Sequence, residues 1–129
     1  MNNKKSLEDF LPDRNASYYK KINNFQISSK IYEEKIIECI KTVMDPEIPV
    51  NLYDLGLIYK IIISDKNDIK VDMTLTNPNC PVAGLMPENV GKSIEKLDNL
   101  NSIEVRLVWE PKWHKDLMSE EAKLALDIF

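Results

Sequence analysis

The sequence predicts a two-layer α+β domain in the order α-β-β-α-β-α, with a small three-stranded mixed sheet and helices stacked on one face. Three observations predict it. Apolar residues recur at helical spacing through residues 29–44. Two β-rich runs, 57–63 and 69–75, flank a short polar turn. A second helical stretch, an alternating run and a third helical stretch then follow.

In the first helix, Tyr32, Ile36, Ile40 and Val43 form the stripe, widened by Ile37 and Met44. Ser28 or Ser29 can cap its start. Asp45 precedes Pro46 and ends it, because a residue before proline is pushed out of helical geometry. A loop with Pro46, Pro49 and Gly56 leads into the apolar strand 57–63. The turn at 65–68 makes a hairpin with the next strand, where Ile69, Val71, Met73 and Leu75 alternate with polar residues. After the loop 76–81, Val90, Ile94 and Leu97 give the inner face of the second helix. Either Pro81 starts that helix and Pro87 bends it, or Pro87 starts its regular part. Ile103, Val105, Leu107 and Trp109 alternate as a third strand, which assigns Trp109 to the core. Ser119, followed by Glu120 and Glu121, caps the last helix.

Residues 1–29 are polar and without sustained period, and read as a flexible tail ahead of a domain spanning 30–129. Charge divides the same way: residues 1–30 carry a net +3 and the remainder a net −7. An acidic globular part does not suit nucleic acid, whose phosphates must be neutralised by Lys or Arg. No apolar run reaches the roughly 18 residues of a membrane helix. The N-terminal stretch lacks the apolar core of a secretory signal, so the expected location is the cytoplasm. Glycine-rich nucleotide loops, C-x-x-C and G-x-S-x-G are absent from the sequence.

Two segments carry candidate chemistry. Asp45, Pro46 and Glu47 put two carboxylates at a helix end between prolines. They read either as a helix stop with solvated acids or as a rigid pair of oxygen ligands. In Thr76-Asn77-Pro78-Asn79-Cys80-Pro81, a cysteine braced by prolines stands before a helix. It reads either as a small apolar side chain or as a thiolate favoured by backbone N–H groups. Carboxylates beside Cys80 would raise its pKa, and a bound cation would remove that conflict. Convergence of Asp45, Glu47 and Cys80 therefore favours a metal or cluster site over a bare nucleophile. Cys39 sits beside the apolar stripe and reads as core. His114, the single histidine, reads as exposed. Trp113 is a candidate interface residue.

Together, DPEIPVNLYDLGLIYKI, VDMTLTNPNCPVAGLMPENV and VRLVWEPKWHKDLMSEEAKLALDIF resemble the SufT-type family of iron–sulfur cluster assembly factors. Its relatives include the eukaryotic cytosolic iron–sulfur targeting subunit and PaaD-like proteins. The resemblance covers residues 30–129. It implies a role in cluster maturation or delivery, with Cys80 as the functional cysteine of a T-x-P-x-C-P loop and Asp45 and Glu47 as the D-P-E acids. Asn51, Tyr53, Asp54, Leu55 and Gly56 match the N-[LI]-Y-D-L-G segment, and Thr74 and Thr76 match the strand before the cysteine. The usual W-D-P-P-W-T-P departs here to Trp109-Glu110-Pro111-Lys112-Trp113-His114-Lys115, a more basic loop.

The resulting expectation is a non-catalytic accessory factor that transfers or targets clusters to client proteins. It would handle an iron–sulfur cluster or iron transiently and work with SUF assembly proteins and apo clients. One cysteine cannot close a four-ligand cluster, which favours a homo-oligomer or a shared site. The rival readings are a thiol enzyme with Cys80 as nucleophile and a pure protein-interaction adaptor.

Overall fold

A computed structural model of the chain describes residues 18–22, 29–46, 48–76 and 85–127. The elements are strand β1 (Tyr18–Lys21), helix α1 (Glu33–Ile40), strands β2 (Ile58–Ile63) and β3 (Asp68–Met73), helix α2 (Leu85–Ile94), strand β4 (Ser102–Leu107), a 3-10 turn (Lys115–Leu117) and helix α3 (Glu120–Asp127).

The two-layer α+β plan with a mixed sheet holds, but the sheet has four strands, not three, in the order β1-β4-β3-β2. β2 and β3 form the antiparallel hairpin, β3 and β4 run parallel, and β1 lies antiparallel on β4. The extra strand falls within the stretch read as a polar tail. Its sequence, YYKK, lacks apolar alternation because only Tyr18 turns partly inward and the other three residues are exposed. An edge strand held by backbone pairing needs no hydrophobic period, so pattern reading passes over it.

The core lies between one sheet face and the helices. Ile36 and Ile40 from α1 and Val90 and Ile94 from α2 are fully buried, as are Ile69, Met73, Ile103 and Val105. Helix α1 is shorter than its periodic stripe. Backbone bonds tighten the chain after Ile40, and the Thr42 hydroxyl donates to the Cys39 carbonyl at 2.6 Å. Met44 then bridges to Asn51 instead of continuing the helix. Pro87 is the third residue of the described part of α2. Ser119 caps α3 by accepting from the Ala122 N–H at 3.1 Å.

The hairpin turn is tied to both helical connections by Asn67, which is fully buried at φ 61°. Its Oδ1 accepts from the Ile31 N–H, and its Nδ2 donates to the carbonyls of Ser29 and Asn99. The left-handed backbone suits asparagine better than most side chains. The opposite face of the sheet carries Lys60, Ile62, Lys70, Asp72, Glu104 and Arg106 around a depression of about 180 Å³. Arg106 pairs there with Asp72 at 3.3 Å.

Candidate functional site

The parallel pairing of β3 and β4 sets the geometry of the site. Both strands end on the same side of the sheet, Met73 beside Leu107. The chain leaving β3 runs through Thr74, Leu75 and Thr76, the last described residues before Cys80 in the sequence. The chain leaving β4 runs through Trp109 to Trp113. These two exits line one cavity of about 160 Å³, whose walls are residues 74–76, Trp109, Glu110, Lys112 and Trp113.

Each wall is braced. Thr74 is buried, and its N–H donates to the Leu57 carbonyl at 2.8 Å. The Val108 N–H donates to the Met73 carbonyl at 2.7 Å, joining the strand ends. Trp113 is half-buried, with its indole N–H on the Leu55 carbonyl at 2.7 Å. Tyr59 donates its hydroxyl to the Pro111 carbonyl at 2.7 Å, next to a cis Glu110–Pro111 peptide bond. Burial, with the Glu110 charge adding to it, pushes the Tyr59 phenol up from its ordinary pKa, so it stays a donor at neutral pH.

Trp109 departs from expectation. It is 37% exposed, not core, because β4 ends at Leu107 and the chain has turned into the loop. The alternation of apolar residues outlasts the strand itself.

The N-L-Y-D-L-G segment supports the site from below. Asn51 and Asp54 clasp each other: Asn51 Nδ2 donates to Asp54 Oδ2 at 2.8 Å, and the Asp54 N–H donates to Asn51 Oδ1 at 2.9 Å. This closed turn buries Leu52, Leu55 and Leu57 completely. Gly56 has φ 80°, and a Cβ there would come within 2.3 Å of the Leu117 carbonyl oxygen. Only glycine meets both conditions. The Asp54 carbonyl accepts from the Ser119 N–H at 2.8 Å. The segment thus anchors both Trp113 and the start of α3.

Asp45 Oδ1 accepts from the Ile48 N–H at 2.9 Å, and the Asp45 N–H donates to the Val50 carbonyl at 3.1 Å. The carboxylate therefore braces the D-P-E loop. Glu47 and Cys80 lie outside the described residues, as do the other residues of 77–84. Among the described residues, no group of three His, Cys, Asp or Glu side chains could hold a metal ion. Cys39 is half-buried and packs against the core, and burial pushes its thiol pKa up. His114 is exposed and accepts from the Asp116 N–H through Nδ1. No described helix is long and apolar enough to cross a membrane.

Sequence reasoning missed Glu110, Lys112 and Tyr59 as parts of the site. The departure of the 109–115 loop from the family pattern was the available signal for Glu110 and Lys112. Tyr59 gave none, since a tyrosine in an apolar strand reads as packing.

Comparison with known proteins places the chain among its relatives. The chain is 48% identical over 94 residues to an Fe-S protein maturation auxiliary factor of Porphyromonas gingivalis, covering 73% of this chain and 90% of that one. It is 38% identical to the Fe-S protein maturation auxiliary factor SufT of Staphylococcus aureus, covering 67% of this chain and 98% of that protein. The crystal structure of a DUF59 domain from Bacillus anthracis superposes with a TM-score of 0.72 at 38% identity, covering 75% of this chain and 92% of that one. Residues 33–107, well over half of the chain, match the family described as iron-sulfur cluster assembly protein. The chain belongs to that family, as a SufT-like auxiliary factor in iron–sulfur cluster assembly.

Proposed function

We propose that this auxiliary factor transfers or targets iron–sulfur clusters to client proteins, with Cys80 as the thiolate that contacts the cargo. One observation carries the reading. The strand exit that leads to Cys80 in the chain forms one wall of a braced cavity, and Trp109, Glu110, Lys112 and Trp113 form the other. A loop springing from a rigid platform can present a ligand at a fixed place, which a transient metal contact needs.

The cargo is substrate, not resident cofactor. A single thiolate supplies one of the four ligands such a cluster requires. Asp45, Glu47, a small thiol, a second subunit or the client itself supplies the rest. That shortage keeps the hold weak enough for release. Asp45 contributes first by bracing its loop, and Glu47 stands two residues on from it. The chain works in the cytoplasm with SUF assembly proteins and apo clients, in a homo-oligomer or mixed assembly, with the exposed edge of the Trp109 and Trp113 loop as contact surface.

The test is anaerobic reconstitution with iron and sulfide, then transfer to an apo iron–sulfur enzyme, read by recovery of that enzyme's activity. Cys80→Ser is expected to abolish transfer while the circular dichroism spectrum stays unchanged. Full transfer by Cys80→Ser overturns the assignment.

A further inference from the structure

Strand β1 is attached to the domain unlike any other strand. It is four residues long, and three of them are exposed. Its backbone pairs with β4 from Tyr18 opposite Val105 to Lys21 opposite Ser102. Its inward anchor is the Tyr18 ring. That ring lies on α2 where Gly91 has no side chain, and a Cβ at Gly91 would come within 2.1 Å of the ring. The Tyr18 hydroxyl donates to the Glu95 carboxylate, and Lys20 Nζ lies 3.1 Å from Oε1 of the same group.

These contacts define a receptor with three parts: the backbone edge of β4, a notch at Gly91 and an anion at Glu95. Gly91 lies in α2 and Glu95 just past its end, one turn on, with the Glu95 N–H donating to the Gly91 carbonyl at 3.0 Å. Tyr18 and Lys20 are two apart and so share one face of β1. The spacings match, so the receptor reads an aromatic residue and then a base two positions on. β1 also lies outside residues 33–107, the part that matches the family. The family-matched part without β1 would leave the β4 edge open.

We propose that this edge and notch form a docking site for an extended segment of a partner protein, one bearing an aromatic residue with Lys or Arg two positions later, and that β1 is an intramolecular occupant which that segment displaces. Main-chain pairing supplies the general attraction, and the notch and carboxylate supply the selection. A second copy of this chain is a poor competitor. It offers the same residues, while the tethered strand acts at a far higher effective concentration. A foreign segment that keeps the aromatic ring and places an arginine fork on Glu95 can outcompete β1 through a stronger anchor. The proposal stands on β1, α2 and β4 alone and does not rest on the reading of Cys80.

The experiment uses the full-length chain and a fluorescent peptide of residues 15–25 as probe, read by anisotropy. A full-length Tyr18→Ala/Lys20→Ala variant has a weakened internal competitor and is expected to bind the probe at least about tenfold more tightly than the wild type. A probe carrying the same Tyr18→Ala change should lose that binding. Equal affinity of the two proteins, or indifference to the probe's tyrosine, overturns the proposal. A wild-type dimer that the probe dissociates assigns the site to a second copy and also overturns it. Hydrogen exchange on the wild type gives an independent reading should the variant misfold. Amides of β1 are expected to exchange at least about tenfold faster than those of β3. Equal protection makes β1 a permanent strand and overturns the proposal.

Discussion

The Trp113 indole N–H donates to the Leu55 carbonyl oxygen across 2.7 Å, tying the loop after β4 to the turn before β2. Leu55 is fully buried, so its carbonyl has little water to turn to. Trp113→Phe keeps most of the ring but strands that acceptor, and should cost about 1–2 kcal/mol. Trp113→Ala also removes the cavity wall, and should cost more, about 2–3 kcal/mol for a half-buried ring. Urea unfolding of both variants checks the order. If Phe is as costly as Ala, the hydrogen bond outweighs the packing, and equal stability of all three proteins removes any structural role for this contact.

Gly91→Ala separates two effects. In a helix interior alanine is favoured over glycine by about 1 kcal/mol. Here its Cβ meets the Tyr18 ring at 2.1 Å, which no real contact tolerates. The expected outcome is a displaced β1 on an otherwise intact domain. Hydrogen exchange should show lost protection at Tyr18–Lys21 with β3 unchanged. Unaltered protection of β1 would mean that the ring has another place to lie.

Asp68 ties the start of β3 to the start of β4. The Ser102 hydroxyl, donating at 2.6 Å, is the main cause that holds its carboxyl below the ordinary range; partial burial opposes this, and Ser64 and Asn101 add to it. A depressed carboxyl pKa contributes stability above the unfolded value of about 3.9, and that contribution is lost as pH falls through the folded value. Asp68→Asn should therefore destabilise by about 1 kcal/mol at neutral pH. The gap to wild type should close as pH falls below about 4. Thermal melts across pH 3–7 measure it, and a gap independent of pH would assign the loss to shape instead of charge.

Much of this was legible in the sequence, and the exceptions share physical causes. The hairpin and the strand at 102–107 follow from alternation that one buried face imposes, as at Ile69, Val71 and Met73. β1 left no such trace, because Tyr19, Lys20 and Lys21 face solvent and the backbone does the pairing. Trp109 misled because its apolar period ran on past Leu107, where pairing stops. The candidate site was legible as separate motifs and not as an assembly. Residues 74–76 and 109–113 become neighbours only through the parallel register of β3 with β4, which no local pattern encodes. The N-L-Y-D-L-G motif is recognisable by resemblance, but its division into an Asn51–Asp54 clasp and three core leucines arises only in the folded chain.

The two cysteines should part company chemically. Cys39 lies in α1 and packs half-buried against the core. Burial pushes its thiol up, and Glu38 adds to that, while Lys96 and Lys35 oppose it. At neutral pH it is therefore mostly the neutral thiol, which neither alkylates quickly nor binds metal well. Its labelling should rise only at a pH above the ordinary thiol value of about 8.5. Cys80 stands between Asn79 and Pro81 in the sequence, four residues after the braced Thr74–Thr76 exit. A limiting dose of iodoacetamide on the native protein, read by peptide mass spectrometry, should label Cys80 first. Iron(II) added under anaerobic conditions should slow that labelling, because a coordinated thiolate is no longer free to attack. Cys39→Ser should cost about 1 kcal/mol of stability and leave cluster transfer intact. If Cys39 is labelled first, the reactive thiolate lies in α1 and Cys80 is not the cargo ligand. If Cys80 is labelled first but iron gives no protection, the thiol is reactive without being a ligand, and the cargo is held elsewhere.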